Sequence, residues 1–173
     1  MKIKVFALAA AALVAWGLKR HYSEARADDL WWILTPTAQL VSATTGAAFA
    51  MQPGEGYFSR ERLFLIEKSC AGINFMIAAF AMLVVAQCHR VRSGLTASCI
   101  LAASLCASYA AAVFVNTVRI AIAMWLAAHP GALPALSAAD AHRLEGITVY
   151  FVGLVLLYEL AQRLDRWSDG AGR

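Results

Sequence analysis

From Leu95 to Val115 the chain runs for 21 residues without a charged side chain. A bilayer core about 30 Å thick is crossed by roughly 20 apolar residues in helical form, because backbone groups in lipid must bond within their own segment. Three further runs approach that pattern. Leu30 to Ala50 and Cys70 to Ala86 are uncharged, and Gly146 to Ala161 holds only Glu159 near its end. A shorter run, Ile3 to Leu18, lies near the N-terminus. With 61% hydrophobic and 15% charged residues, the composition excludes an ordinary soluble domain. The sequence predicts an all-α fold, a polytopic integral membrane helical bundle of about five spans. No repeat, low-complexity tract or charged linker divides it, so residues 1–173 read as a single domain.

The N-terminal run has the outline of a signal peptide, and "EARA" at 24–27 resembles a cleavage site. Lys19, Arg20, His21, Glu24 and Arg26 make the following stretch unusually charged for that role, so the expectation is an uncleaved first span. The short loop "QCHRVRSG" at 87–94 has basic but no acidic residues, which keeps such loops cytoplasmic. Cys70 then faces the extracytoplasmic side. Leu95 to Ala128 would be about 50 Å long as one helix, more than a single span needs. A break is therefore expected in the polar cluster of "VFVNTVRIAIAMW" at 113–125. That leaves a short outer-face helix near 117–128 and places Arg119 and the loop containing His142 on the same face as Cys70. The competing topology makes 114–133 a crossing and separates Arg119 from His142. The fifteen Lys and Arg are explained by orientation and by anionic lipid headgroups, with no cluster long enough to argue for nucleic acid.

Three reactive residue types thus gather at one membrane boundary. A thiolate is the nucleophilic form of cysteine, and Lys68 or a helix start at Cys70 would favour it. Histidine carries protons near neutral pH, and arginine offers fixed donors to an oxyanion. Cys70, Arg119 and His142 together suit acyl transfer on a peptide carbonyl, with Asn74, Asn116, Arg143 and Glu145 as candidates for contacting the peptide. Each also has a plainer explanation. A cysteine in an apolar helix is usually a small buried hydrophobe, the reading given to Cys88, Cys99 and Cys106. Arg119 could snorkel to headgroups, Arg143 and Glu145 could mark a span boundary, and a loop histidine is most often solvated. No His/Cys spacing suggests a metal, and neither a Gly-rich phosphate loop nor a GxSxG elbow is present, so no cofactor is expected.

"SCAGINF" at 69–75, "NTVRIAIAMW" at 116–125 and "HRLEGITVYF" at 142–151 resemble, in order, the three signature blocks of the exosortase/archaeosortase family. "LTPTAQLVSATTGAAF" at 34–49 and "GYFSRERLFLIEKSCAGINF" at 56–75 resemble the short exosortase K subfamily. The resemblance implies a bacterial inner-membrane cysteine transpeptidase with Cys70, Arg119 and His142 as its catalytic residues. Its implied partners are exported proteins whose C-terminal sorting signal combines a Pro-containing motif, a transmembrane helix and a basic tail. For exosortase K that motif is of a Met-Ser-Glu-Pro type. Set against the longer members of that family, the resemblance implies a short form with fewer spans and no appended soluble domain, which leaves the acceptor open. Two other functions remain at this level: an intramembrane protease that only hydrolyses, and a non-catalytic membrane scaffold. The scaffold would be expected to carry charged or small-residue stripes within its spans, whereas here the spans are nearly uncharged.

Overall fold

A computed structural model describes residues 2–129, 131–132 and 137–171. Among the described residues the chain is mostly helical, with five α-helices: α1 (Lys2–Glu24), α2 (Trp31–Thr45), α3 (Ile73–Gln87), α4 (Gly94–Ala128) and α5 (Ala138–Ala171). Three stretches of the described residues are long and apolar enough in this form to cross a membrane: Lys68–Arg90, Gly94–Ala128 and Ala139–Trp167. The fold is not purely helical. Between α2 and α3 lies an antiparallel sheet of β1 (Ala50–Gln52), β2 (Gly56–Ser59) and β3 (Phe64–Ile66) in the order β1-β2-β3.

Two expected helix boundaries are corrected. The uncharged run from Leu30 to Ala50 is helical only over Trp31–Thr45. Gly46 stops it, with φ 71 and its N–H bonded to the Ser42 carbonyl, a left-handed cap that glycine adopts without a Cβ penalty. The break expected near 113–125, and with it the separate outer-face helix at 117–128, does not occur. α4 is one helix of 35 residues, about 52 Å at the usual rise. Two polar residues at the expected break are satisfied without opening the backbone: Thr117 donates to the Val113 carbonyl at 2.8 Å, and the Asn116 amide bonds the Cys70 carbonyl and the Tyr150 hydroxyl. No proline lies within it to force a kink.

Capping residues set the starts of the last two helices. Ser93 Oγ accepts the Thr96 N–H at 3.2 Å ahead of α4. Ser137 accepts the Asp140 N–H and donates to its carboxylate, a reciprocal cap that starts α5 eight residues ahead of Gly146. The stretch from 138 to 146, expected as loop, is therefore helix, and His142, Arg143 and Glu145 stand on α5.

The chain divides into two compact units, one of residues 1–21, 73–112 and 152–173, the other of residues 22–72 and 113–151. In the first, Ala7 packs with Val91, Ala97 and Ile100, and Ala11 with Phe80 and Val84. Alanines one turn apart on α1 let neighbouring backbones come close. Arg90 pairs with Asp165 at 3.0 Å. The second unit buries Leu30, Ile33, Leu34, Val41, Ile66 and Ile120 completely. Its first hairpin turns through Gln52-Pro53-Gly54-Glu55, where Gly54 has φ 82 and the Glu55 N–H bonds the Gln52 carbonyl, the signature of a type II turn. The Asp28 carboxylate accepts the Gly54 N–H at 2.9 Å and fastens this turn to the segment before α2. β3 then delivers the chain, through Glu67, to Cys70.

Candidate active site

Cys70 ends a short 3-10 turn, Lys68–Cys70, three residues before α3 begins. The expected helix start at the cysteine is thus displaced to Ile73. Gly72, between turn and helix, has φ 69, and a Cβ there would lie 3.2 Å from the Asn116 side chain. Both the backbone and the space require glycine. That close approach lets Asn116 Nδ2 donate to the Cys70 carbonyl oxygen.

The half-buried thiol lies 3.8 Å from Ser69 Oγ, which donates to Glu67 Oε1 at 2.7 Å. Lys68 Nζ donates to the Ser23 carbonyl at 3.1 Å and lies 5.2 Å from the Tyr22 ring centre. Tyr22 in turn donates to the Lys68 carbonyl at 3.4 Å. Burial raises the Tyr22 phenol above its ordinary pKa, and negative charge on Cys70 and Glu67 adds to the effect.

From Asn116 a continuous chain of contacts runs to the other reactive residues. Asn116 is fully buried, and its Oδ1 accepts from the Tyr150 hydroxyl at 2.9 Å. Tyr150 accepts from Arg119 Nη1 at 3.3 Å, with the guanidinium carbon 5.3 Å from the ring centre. Arg119 Nη2 lies 3.3 Å from His142 Nε2. Glu145, one turn beyond His142 on α5, places Oε2 3.8 Å from His142 Nδ1 and 4.0 Å from Arg119 Nε. Gly146 makes room for this arrangement, since a Cβ there would stand 3.1 Å from Arg119 Nε.

Asn116, Arg119, His142 and Glu145 are thus brought together, and Cys70 joins them through its carbonyl. Its thiol has no hydrogen bond to Arg119 or His142 among the described residues; His142 is engaged by Arg119 instead. Asn74 belongs to the other unit, where Lys19 donates to its Oδ1 at 2.8 Å. Arg143 is exposed, and no hydrogen bond or ion pair joins it to the cluster among the described residues. Sequence reasoning misses Tyr150 and Tyr22. The position of Tyr150, one helical turn after Gly146 in the same block as His142, is the available signal for the first; nothing in the sequence marks the second. No protein-family model, curated protein or solved structure matches this chain.

Proposed function

We propose that the chain is a membrane-embedded cysteine transpeptidase of the exosortase type, acting on a peptide carbonyl of exported proteins that carry a C-terminal sorting signal. The observation that carries this reading is the unbroken path from the Cys70 backbone through Asn116, Tyr150 and Arg119 to His142. A structural ion pair needs no such connection to the backbone of a half-buried cysteine. Chains of side-chain hydrogen bonds of this kind hold reactive groups in register.

In the proposed reaction His142 turns from Arg119 toward Cys70. Its ring is the more exposed member, with a side chain 55% exposed against 13% for Arg119. His142 Nε2 takes the thiol proton, and the thiolate sulfur bonds the substrate carbonyl carbon. The oxyanion so formed meets the released Arg119 N–H groups, a term worth a few kcal/mol where water is excluded. Collapse breaks the C–N bond, and His142 returns its proton to the leaving amine, which departs with the transmembrane tail. An acceptor nucleophile then attacks the thioester, gives its proton to His142 and restores the thiol. In this reading the enzyme is a multi-pass protein of the bacterial inner membrane with its site on the extracytoplasmic face. There, a substrate anchored by its own helix meets the nucleophile at high effective concentration.

Trapping tests the chemistry directly. Wild-type protein in membranes, given a tagged substrate and then denatured in acid, is expected to carry the substrate's mass on the peptide containing Cys70, in a bond that hydroxylamine cleaves. Absence of such an adduct while processing continues would exclude a thioester route.

A further inference from the structure

Glu145 is a buried carboxylate, its side chain 5% exposed, and neither oxygen has a hydrogen-bond partner among the described residues. Burying a charge without donors costs several kcal/mol, so the groups it faces need explaining. Two nitrogens lie within 4.0 Å of Oε2: Arg119 Nε, buried and without any acceptor, and His142 Nδ1. Tyr150 completes the titratable groups around it. A guanidinium has donors only, so at 3.3 Å from Arg119 Nη2 the His142 Nε2 atom must accept. A neutral imidazole that accepts at Nε2 carries its proton at Nδ1, the atom turned toward Glu145.

The structure assigns Glu145 as the positioning residue of this site, holding His142 in the tautomer protonated at Nδ1 and keeping its Nε2 lone pair available. The catalytic consequence rests on the acyl-transfer reading above; the tautomer does not. When His142 leaves Arg119 to take the Cys70 proton, the imidazolium and the guanidinium both remain beside this one carboxylate, which balances whichever charge is less well partnered. The spacing fits: His142 and Glu145 are i and i+3 on α5, and Gly146 lets the guanidinium reach the same turn. This role differs from the peptide contact that the sequence suggested for Glu145.

The test uses full-length protein in detergent micelles with ¹⁵N-labelled imidazoles. There are four histidines, and His142→Asn identifies the relevant signal. Wild type is expected to show Nδ1 protonated and Nε2 bare. Glu145→Gln is expected to weaken that preference, because it removes the charge facing Nδ1 and its amide can donate there as well as accept. In processing assays the same variant should lower kcat on the order of 100-fold, the scale of a general-base contribution, with KM unchanged. Glu145→Asp, which keeps the charge on a shorter stem, should recover part of kcat. A wild-type His142 protonated at Nε2, a tautomer indifferent to Glu145→Gln, or a raised KM at unchanged kcat would each overturn the assignment. If Glu145→Gln fails to accumulate, Glu145→Asp decides by the same readouts: reduced kcat at constant KM upholds it and wild-type kcat overturns it. Processing by Cys70→Ala equal to wild type would remove the acyl-transfer reading and leave the tautomer result standing.

Discussion

Asn116 is the residue on which the site's geometry turns. It is fully buried in α4, its amide holds the Cys70 carbonyl, and its oxygen holds Tyr150. Asn116→Ala would leave two polar groups without their partner, at about 1–3 kcal/mol. The expected result is a lower melting temperature in detergent and slower processing. Asn116→Asp keeps the acceptor for Tyr150 but loses the donor to Cys70 and sets a buried carboxylate against that carbonyl oxygen, and is expected to slow processing with a larger loss of stability than Asn116→Ala. Gly72→Ala adds a Cβ against Asn116 in a left-handed backbone, costing about 1–2 kcal/mol, with the loss again visible as a melting shift. Gly17, by contrast, lies within α1 in open space, with nothing within 4 Å of where a Cβ would stand, so Gly17→Ala should stabilise by about 0.5–1 kcal/mol. Opposite signs at two glycines separate helix propensity from site geometry.

At the scale of elements, legibility follows the length of the pattern. Long apolar runs announce α3, α4 and the body of α5, because about 15 or more uncharged residues leave few alternatives to a helix in lipid. The sheet is not legible, since strands of three and four residues are too short for alternation to stand out, although "QPGE" carries a turn signature. Polar residues in α4 suggest a break because hydropathy does not register that Thr117 bonds its own helix and that Asn116 finds partners far along the chain. Cys70, Arg119 and His142 are legible as reactive types in apolar surroundings. Tyr150 is not, because a tyrosine in an apolar run looks like any other aromatic. An unbroken α4 predicts slow amide exchange throughout 113–125, measured by mass spectrometry in micelles; a fast-exchanging patch at 114–118 would restore the break. At β2, Gly56→Ala would drive a Cβ into the Ile66 carbonyl at φ 122, so the β2–β3 pairing should loosen, with faster exchange across 56–66.

For the whole molecule, the proposed orientation puts Cys70 outside and Cys88, in the basic loop between α3 and α4, inside. Single-cysteine variants retaining one or the other should react with a membrane-impermeant maleimide in opposite ways: Cys70 in intact spheroplasts, Cys88 only after permeabilisation. Equal labelling of both before permeabilisation would contradict the orientation. The most direct test of the central claim is co-expression of wild type or Cys70→Ala with a tagged protein bearing a C-terminal sorting signal of the Met-Ser-Glu-Pro type, followed by mass analysis of the tagged product. The account predicts a product shortened at the signal with wild type and none with Cys70→Ala, and the mass of the new C-terminus distinguishes transfer from hydrolysis. Equal processing by the two proteins would contradict cysteine catalysis at Cys70.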